Sequence, residues 1–156
     1  KHLIYGNYKI RCAVGKRGVG KKKKEGDFIT PLGNYRIKKV FFRKDRLKNL
    51  KTKIQKFEIN KKMGWCNDPL SSSYNKLIKY PFNFSSEKLY RNDNIYDIII
   101  VINYNINPII KNKGSAIFIH IAKKNYKKTE GCVAIKKRDM KKLLKMISNS
   151  TKILIV

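Results

Sequence analysis

The sequence predicts a mainly β fold in one domain that spans residues 1–156. Short apolar or alternating segments recur along the chain, and Gly, Asn and Pro residues separate them, a pattern typical of β domains. The chain has the length of a single domain with its own core, without an internal repeat or a clear domain boundary. We therefore expect a mainly β domain with one or two short helices.

The predicted strands begin with a hairpin. Its strands are His2 to Tyr5 and Tyr8 to Val14, and Gly6-Asn7 supplies a two-residue turn. Cys12 alternates in phase with apolar neighbours, so we expect it to be a core thiol. The other strand candidates, in chain order, are Tyr35 to Ile37, Ile54 to Ile59, Tyr96 to Tyr104, Ala116 to Ala122, Val133 to Ile135 and Ile153 to Val156.

Two segments are candidates for helices. The better one runs from about Arg138 to Ser148, where apolar residues recur at helical spacing, and a short one is expected after Ser85 or Ser86. Residues 15–33 are rich in Gly and Lys and predict a mobile basic surface loop. The polar stretch from Asn103 to Gly114 predicts a surface connection.

The composition combines a folded core with a large positive charge. The hydrophobic fraction of 42% argues against disorder, and the formal net charge is +28. Such a field favours any polyanion, but Lys, Asn and Ile are scattered together in a way that AT-rich coding bias also produces. The longest apolar run, Ile98 to Ile102, is too short to span a bilayer. The chain begins at Lys1 without an apolar leader, so a signal has been removed or was not included.

Two other kinds of chemistry are disfavoured by the motifs. The segment GKRGVGKK at residues 15–22 approaches a phosphate-binding loop, but Lys22 stands where a magnesium-binding hydroxyl is required. The three cysteines and two histidines lack the spacing of a zinc site, so we expect no metal and no cofactor. A disulfide between Cys12 and Cys66 remains open, since sequence does not give their separation.

A histidine and a cysteine near the C-terminal end could act together. His120 lies in the strand candidate AIFIHIA, and Cys132 follows Gly131 at the start of the next strand. A short connection can fold back and bring the two side chains together, where an imidazole can take the proton of a thiol nucleophile. Gly131 would leave room for a substrate carbonyl beside backbone N–H groups.

At these residues the chain resembles the catalytic domain of the L,D-transpeptidases, the YkuD-type enzymes that remodel peptidoglycan. The resemblance runs through GDFITPLGNYRI at residues 26–37, MGWCNDPLSSSYNK at residues 63–76, and GSAIFIHIAKKNYKKTEGCVAI at residues 114–135. It implies a β-sandwich or open-barrel catalytic domain. It also implies a cysteine that attacks a tetrapeptide stem, forms a thioester and passes the acyl group to an amine.

The resemblance assigns roles to individual positions. Cys132 matches the nucleophile, His120 the general base and Gly131 the glycine before the nucleophile, while the carbonyl of Ile121 would complete the catalytic group. Thr129 takes the usual Ser/Thr place. Glu130 replaces a second histidine, and the interval from His120 to Cys132 is short, which indicates a compact subgroup with Thr-Glu-Gly-Cys at the nucleophile.

Substrate contacts are expected from Thr129, Glu130, Arg17 and Trp65, although the position of Trp65 favours the anchor of a packed turn over a site residue. A carboxylate beside the thiol would raise the pKa of that thiol, so Glu130 should point away, or toward a nearby lysine or the His120 ring. The resemblance implies peptidoglycan stem peptides as partners, a periplasmic or cell-wall location and, we expect, a monomer without a specific nucleic-acid partner. An L,D-carboxypeptidase and a non-catalytic module that binds polyanions stay open as alternatives.

Overall fold

The computed structural model describes all residues from Lys1 to Val156. It contains thirteen β-strands, one α-helix and a short 3-10 helix at Lys124–Tyr126. The strands are β1 (His2–Tyr5), β2 (Tyr8–Ala13), β3 (Val19–Gly20), β4 (Thr30–Pro31), β5 (Gly33–Phe42), β6 (Lys56–Glu58), β7 (Met63–Cys66), β8 (Leu77–Lys79), β9 (Ser86–Lys88), β10 (Ile98–Ile102), β11 (Phe118–Ile121), β12 (Val133–Ile135) and β13 (Lys152–Ile155). The helix, α1, spans Lys137–Met146. The mainly β fold class is confirmed.

The largest sheet has eight strands in the order β1-β2-β12-β11-β10-β5-β13, with β6 paired to β5. Most neighbours are antiparallel, but β5 and β6 run parallel, and so do β11 and β12, with His120 opposite Ala134. The connection between these two strands therefore has to cross from one end of the sheet to the other. This connection carries the residues that precede Cys132.

The central strand β10 shows why the sheet has a core on both faces. All five residues from Ile98 to Ile102 are buried. Because side chains alternate along a strand, Ile98, Ile100 and Ile102 join the larger core cluster, while Ile99 and Val101 join the smaller one. A continuous β-branched run is what a strand covered on both faces requires.

The helix α1 covers the first of these faces. Met140, Leu143 and Leu144 are buried on its inner side and belong to the larger cluster, so the predicted helix from Arg138 to Ser148 is confirmed with slightly earlier ends. With ten residues, it is too short and too polar to cross a bilayer. Cys12 lies in the same cluster, as expected for a core thiol.

The opposite face is covered by a small antiparallel sheet in the order β8-β7-β9. Trp65 in β7 contributes to the smaller core cluster, together with Phe118 and Cys132 from the large sheet. The Trp65 and Phe118 rings meet edge to face, with centroids 5.0 Å apart. The nucleophile candidate therefore lies on the face that the small sheet covers.

The structure corrects two features of the sequence interpretation and answers one question that the sequence left open. The helix expected after Ser85 or Ser86 is wrong, because Ser86–Lys88 forms strand β9 and pairs with β7. Residues 15–33 are not a loose surface loop, because strands β3 and β4 pair within them and both Lys22 and Asp27 are buried. Cys12 and Cys66 do not form a disulfide, since all three cysteines are free thiols.

Candidate active site

Cys132 lies immediately before strand β12 and is 9% exposed. Its Sγ atom donates a hydrogen bond to the Ala116 carbonyl at 3.1 Å and accepts one from the Phe118 N–H at 3.4 Å. Burial raises the pKa of the Cys132 thiol to about 12, and the negative charge of Glu87 acts in the same direction. Cys132 is therefore a thiol held by backbone groups.

His120 lies on the neighbouring strand β11, on the same face of the sheet as Phe118 and Cys132. Its Nδ1 atom lies 2.9 Å from the Ile121 carbonyl. A carbonyl can only accept, so Nδ1 carries the proton and Nε2 is left with a free lone pair. Burial lowers the pKa of His120 to about 4. The imidazole is therefore neutral at pH 7 and able to take a proton.

The backbone around Cys132 is held by two threonine hydroxyls. The Thr129 hydroxyl donates to the Cys132 carbonyl at 2.6 Å and accepts from the Gly131 N–H at 3.2 Å. The Thr30 hydroxyl reaches the same carbonyl at 3.4 Å. Gly131 has φ 145°, and a Cβ atom there would lie 3.1 Å from the Ile29 carbonyl oxygen. The glycine before the nucleophile is thus required by backbone conformation.

Asn75 positions the backbone at Ala116, whose carbonyl accepts the hydrogen bond from the Cys132 thiol. Its Oδ1 atom accepts hydrogen bonds from the Trp65 indole at 2.9 Å and from the Ala116 N–H at 3.1 Å. Its Nδ2 atom donates to the Asn105 carbonyl at 2.7 Å. Ala116 adopts a positive φ of 50°, which is costly for a residue with a side chain. Asn75 therefore helps to hold the strained residue whose carbonyl binds the Cys132 thiol.

A buried ion pair lies beside Gly131. The Lys22 ammonium is 2.6 Å from the Asp27 carboxylate, and the two side chains are 3% and 2% exposed. Burial disfavours the charge of Asp27, but the hydrogen bonds from Lys22 and from backbone N–H groups outweigh it and lower the Asp27 pKa to about 2. Lys22 Nζ would be 3.6 Å from a Cβ atom at Gly131, and its charge favours the Cys132 thiolate.

These groups face a cavity of about 700 Å³. Cys132, His120, Gly131, Thr129 and Glu130 line it. Seven lining residues are Lys or Arg and three are Glu, namely Lys16, Lys22, Lys88, Arg91, Lys123, Lys127 and Lys128 against Glu25, Glu87 and Glu130. The cavity is therefore suited to a ligand that carries carboxylates. No group of three or more His, Cys, Asp or Glu side chains is placed to hold a metal ion.

Other predicted site residues lie elsewhere or face outward. Trp65 is 4% exposed and packs in the core without lining the cavity. Arg17 is exposed on the neighbouring loop and also does not line it. The Glu130 side chain is 80% exposed and 3.8 Å from the Lys16 ammonium, so it points toward a lysine and away from the thiol.

The structure adds residues that the sequence interpretation missed. Asp27 and Thr30 lie in the segment GDFITPLGNYRI. The resemblance of this segment to the family is the one signal in the sequence that points to these two residues. Lys22 stands in a run of four lysines, which is typical of a solvated surface. Nothing in that pattern distinguishes the buried ammonium from its exposed neighbours.

Comparison with known families gives one match. The family model of the L,D-transpeptidase catalytic domain, YkuD, matches residues 4–155. No curated protein and no solved structure matches the chain. The match covers nearly the whole chain, including every cavity residue described above.

Proposed function

The chain belongs to the L,D-transpeptidase catalytic domain family, and we propose that it transfers acyl groups from peptidoglycan stem tetrapeptides through a thioester on Cys132. The observation that carries this proposal is the placement of a buried thiol and a neutral imidazole on adjacent strands that face one basic cavity. A neutral imidazole can accept the proton of the thiol, and the thiolate is the species that attacks a carbonyl carbon.

The first half of the reaction forms the acyl-enzyme. His120 takes the Cys132 proton while sulfur attacks the carbonyl carbon of the donor peptide bond. The C–S bond forms, the C–N bond breaks, and the imidazolium returns the proton to the leaving amine. In the second half, an acceptor amine attacks the thioester, the new C–N bond forms and the C–S bond breaks. One amine proton then returns to sulfur through His120.

Two groups are suited to stabilise the charges of this reaction. The Cys132 N–H donates to no acceptor within the chain, so it is available to the oxyanion that develops on the attacked carbonyl. The Lys22 ammonium favours the thiolate form of Cys132, against the opposing effects of burial and Glu87. Thr129, by contrast, acts as a positioning residue through the Cys132 carbonyl.

Substrate recognition follows from the charge of the cavity. Its excess of basic side chains complements the free carboxylates of a stem peptide. Glu130 and Lys16 at its edge, together with the exposed Arg17 nearby, are the candidates for outer contacts. A peptidoglycan substrate would place the enzyme in the periplasm or cell wall.

Intact-mass spectrometry after incubation with a carbapenem and, separately, with a disaccharide-tetrapeptide tests this function. The native chain should gain a covalent adduct, and Cys132→Ala should gain none. Cys12→Ala is the matched control, because Cys12 is a buried cysteine in the opposite core cluster, and it should be acylated like the native chain. Absence of any adduct and product with the native chain would overturn the proposal and favour a non-catalytic polyanion-binding module. Product masses would separate transfer to an amine from hydrolysis.

A further inference from the structure

Glu87 is a cavity-lining carboxylate without a basic partner. Its neighbour in the cavity wall, Glu130, pairs with Lys16, whereas no lysine or arginine lies within ion-pair distance of Glu87. Glu25 also lacks such a partner, but Glu87 is the charge that most strongly raises the pKa of the Cys132 thiol. Among the cavity glutamates, Glu87 therefore has the strongest electrostatic effect on the nucleophile.

Glu87 is held in place through its backbone and through its carboxylate. Its backbone pairs with Trp65 across strands β9 and β7, and its Oε1 atom accepts a hydrogen bond from the Tyr96 hydroxyl at 2.6 Å. Tyr96 is 4% exposed, and its ring meets the His120 imidazole edge to face at 5.4 Å between centroids. A tyrosine that contacts the general base therefore also orients this carboxylate.

The negative charge of Glu87 opposes the first half of the reaction, in which Cys132 forms the acyl-enzyme. A negative charge near Cys132 disfavours the thiolate, and Glu87 adds negative charge to a cavity whose other charged lining residues are mostly cations. The second half of the reaction brings a different ligand. An acceptor amine arrives as a primary ammonium, and a carboxylate is the group that binds an ammonium by charge-assisted hydrogen bonds.

We propose that Glu87, oriented by Tyr96, binds the primary ammonium of the acyl acceptor beside the Cys132 thioester. This inference rests on the proposed function and adds a recognition site for the acceptor. The bound ammonium gives one proton to the Glu87 carboxylate. Its nitrogen then attacks the thioester carbon, the C–N bond forms, the C–S bond breaks, and a second N–H proton passes through His120 to the Cys132 sulfur. Glu87 afterwards releases its proton to water.

Burial supports the proton-accepting part of this step. It raises the pKa of Glu87 above its ordinary value, although the Tyr96 hydrogen bond and the positive charge of Arg91 oppose the change. A carboxylate with a raised pKa takes a proton from an ammonium at a smaller free-energy cost than an ordinary one. The neutral carboxyl that results no longer opposes the departure of the Cys132 thiolate.

The test separates acylation from acyl transfer. The acyl-enzyme is formed with the disaccharide-tetrapeptide and then mixed with increasing D-alaninamide, a primary ammonium without a carboxylate. Transfer product and hydrolysis product are measured together. For Glu87→Gln we expect acylation at least as fast as in the native chain, because a charge that disfavours the Cys132 thiolate is removed. Hydrolysis should stay within about twofold of the native chain, and the half-saturating acceptor concentration should rise about tenfold or more, as lost charge-assisted hydrogen bonds predict. Glu87→Asp should recover most of the acceptor affinity.

Glu58→Gln is the control, because Glu58 is exposed on β6 and pairs with Lys44; it should behave as the native chain. A parallel fall of acylation and transfer in Glu87→Gln would overturn the inference, since Glu87 would then act through Tyr96 on His120. An unchanged acceptor dependence would also overturn it. So would a native acyl-enzyme that hydrolyses but never accepts the amine. Failure of the native chain to form an acyl-enzyme would instead refute the proposed function itself.

Discussion

Cys132 and His120 are both uncharged near neutral pH because both are buried. Burial raises the pKa of the thiol to about 12 and lowers that of the imidazole to about 4. The pair is therefore unlike a preformed thiolate and imidazolium. Substrate binding has to break the hydrogen bond between the Cys132 thiol and the Ala116 carbonyl. The thiol proton then passes to His120 as sulfur attacks the substrate.

This pairing predicts an unusual pH dependence of acylation. The base works only as neutral imidazole, so kcat/KM should stay nearly constant as the pH falls through 6.5, the ordinary pKa of histidine, and should decline only toward 4. Rates of carbapenem acylation across this range, with circular dichroism to verify folding, provide the measurement. His120→Gln should be slow and should lack this acid limb. An acid limb centred near 6.5 would contradict the buried neutral base.

At the scale of elements, the segment between β2 and β5 links the fold to the site through Lys22 and Asp27. Replacing Lys22 by Met would leave the Asp27 carboxylate buried without its partner, and we expect a loss of about 3–5 kcal/mol in the free energy of unfolding. The charge that favours the Cys132 thiolate would also be lost, so alkylation of Cys132 by iodoacetamide should slow. Denaturant unfolding and intact-mass kinetics measure the two effects.

Two further variants make the ion-pair prediction specific. Lys23→Met removes an exposed neighbouring lysine and should change stability by no more than about 0.5 kcal/mol. The double variant Lys22→Met, Asp27→Leu should recover part of the stability, because it removes the uncompensated charge. Equal stability of Lys22→Met and Lys23→Met would show that the ion pair contributes little.

The predictability of each element depends on how local its signal is. Strand β10 and helix α1 carry their own patterns, a continuous apolar run and a helical spacing of apolar residues. Strands β7, β8 and β9 have only three or four residues each, and their pairing depends on contacts made across the small sheet. The helix expected after Ser85 or Ser86 is wrong because the residues there pair with β7, and no local pattern in the sequence indicates that pairing.

The candidate site shows the same difference between residues with a local sequence signal and residues whose role depends on the fold. Cys132 and His120 are candidates from the sequence, because a motif and a short connection mark them, and the structure places both at one cavity; their catalytic roles stay a prediction. The roles of Lys22 and Asn75 could not, because each depends on partners that folding brings near: Asp27 for the lysine, and Trp65 and Ala116 for the asparagine. The sequence thus marks candidate reacting groups, whereas it does not mark the residues that position them.

At the scale of the whole molecule, the two faces of the large sheet pack against different elements. One face packs against α1 in the larger cluster. The other packs against the small sheet in the cluster that contains Cys132. The Cys132 thiol is thus part of a hydrophobic core, and this placement explains both its burial and its raised pKa.

The net charge predicts opposite effects of salt on stability and on association. With 38 basic and 10 acidic side chains, the folded chain repels itself, and salt should relieve this repulsion. Raising the ionic strength from about 0.01 M to 0.15 M shortens the screening length from about 30 Å to 8 Å. The melting temperature should therefore rise, while co-sedimentation with anionic peptidoglycan sacculi should weaken.

A soluble donor allows the surface charge to be separated from the cavity. Acylation by the disaccharide-tetrapeptide should depend less on salt than binding to sacculi, because a polymer contacts many lysines at once and a small ligand contacts only those of the cavity. Cys132→Ala should bind sacculi as the native chain does. If sacculus binding were independent of salt, recognition would depend on the stem-peptide cavity alone, and the scattered lysines would have no part in bringing the enzyme to its substrate.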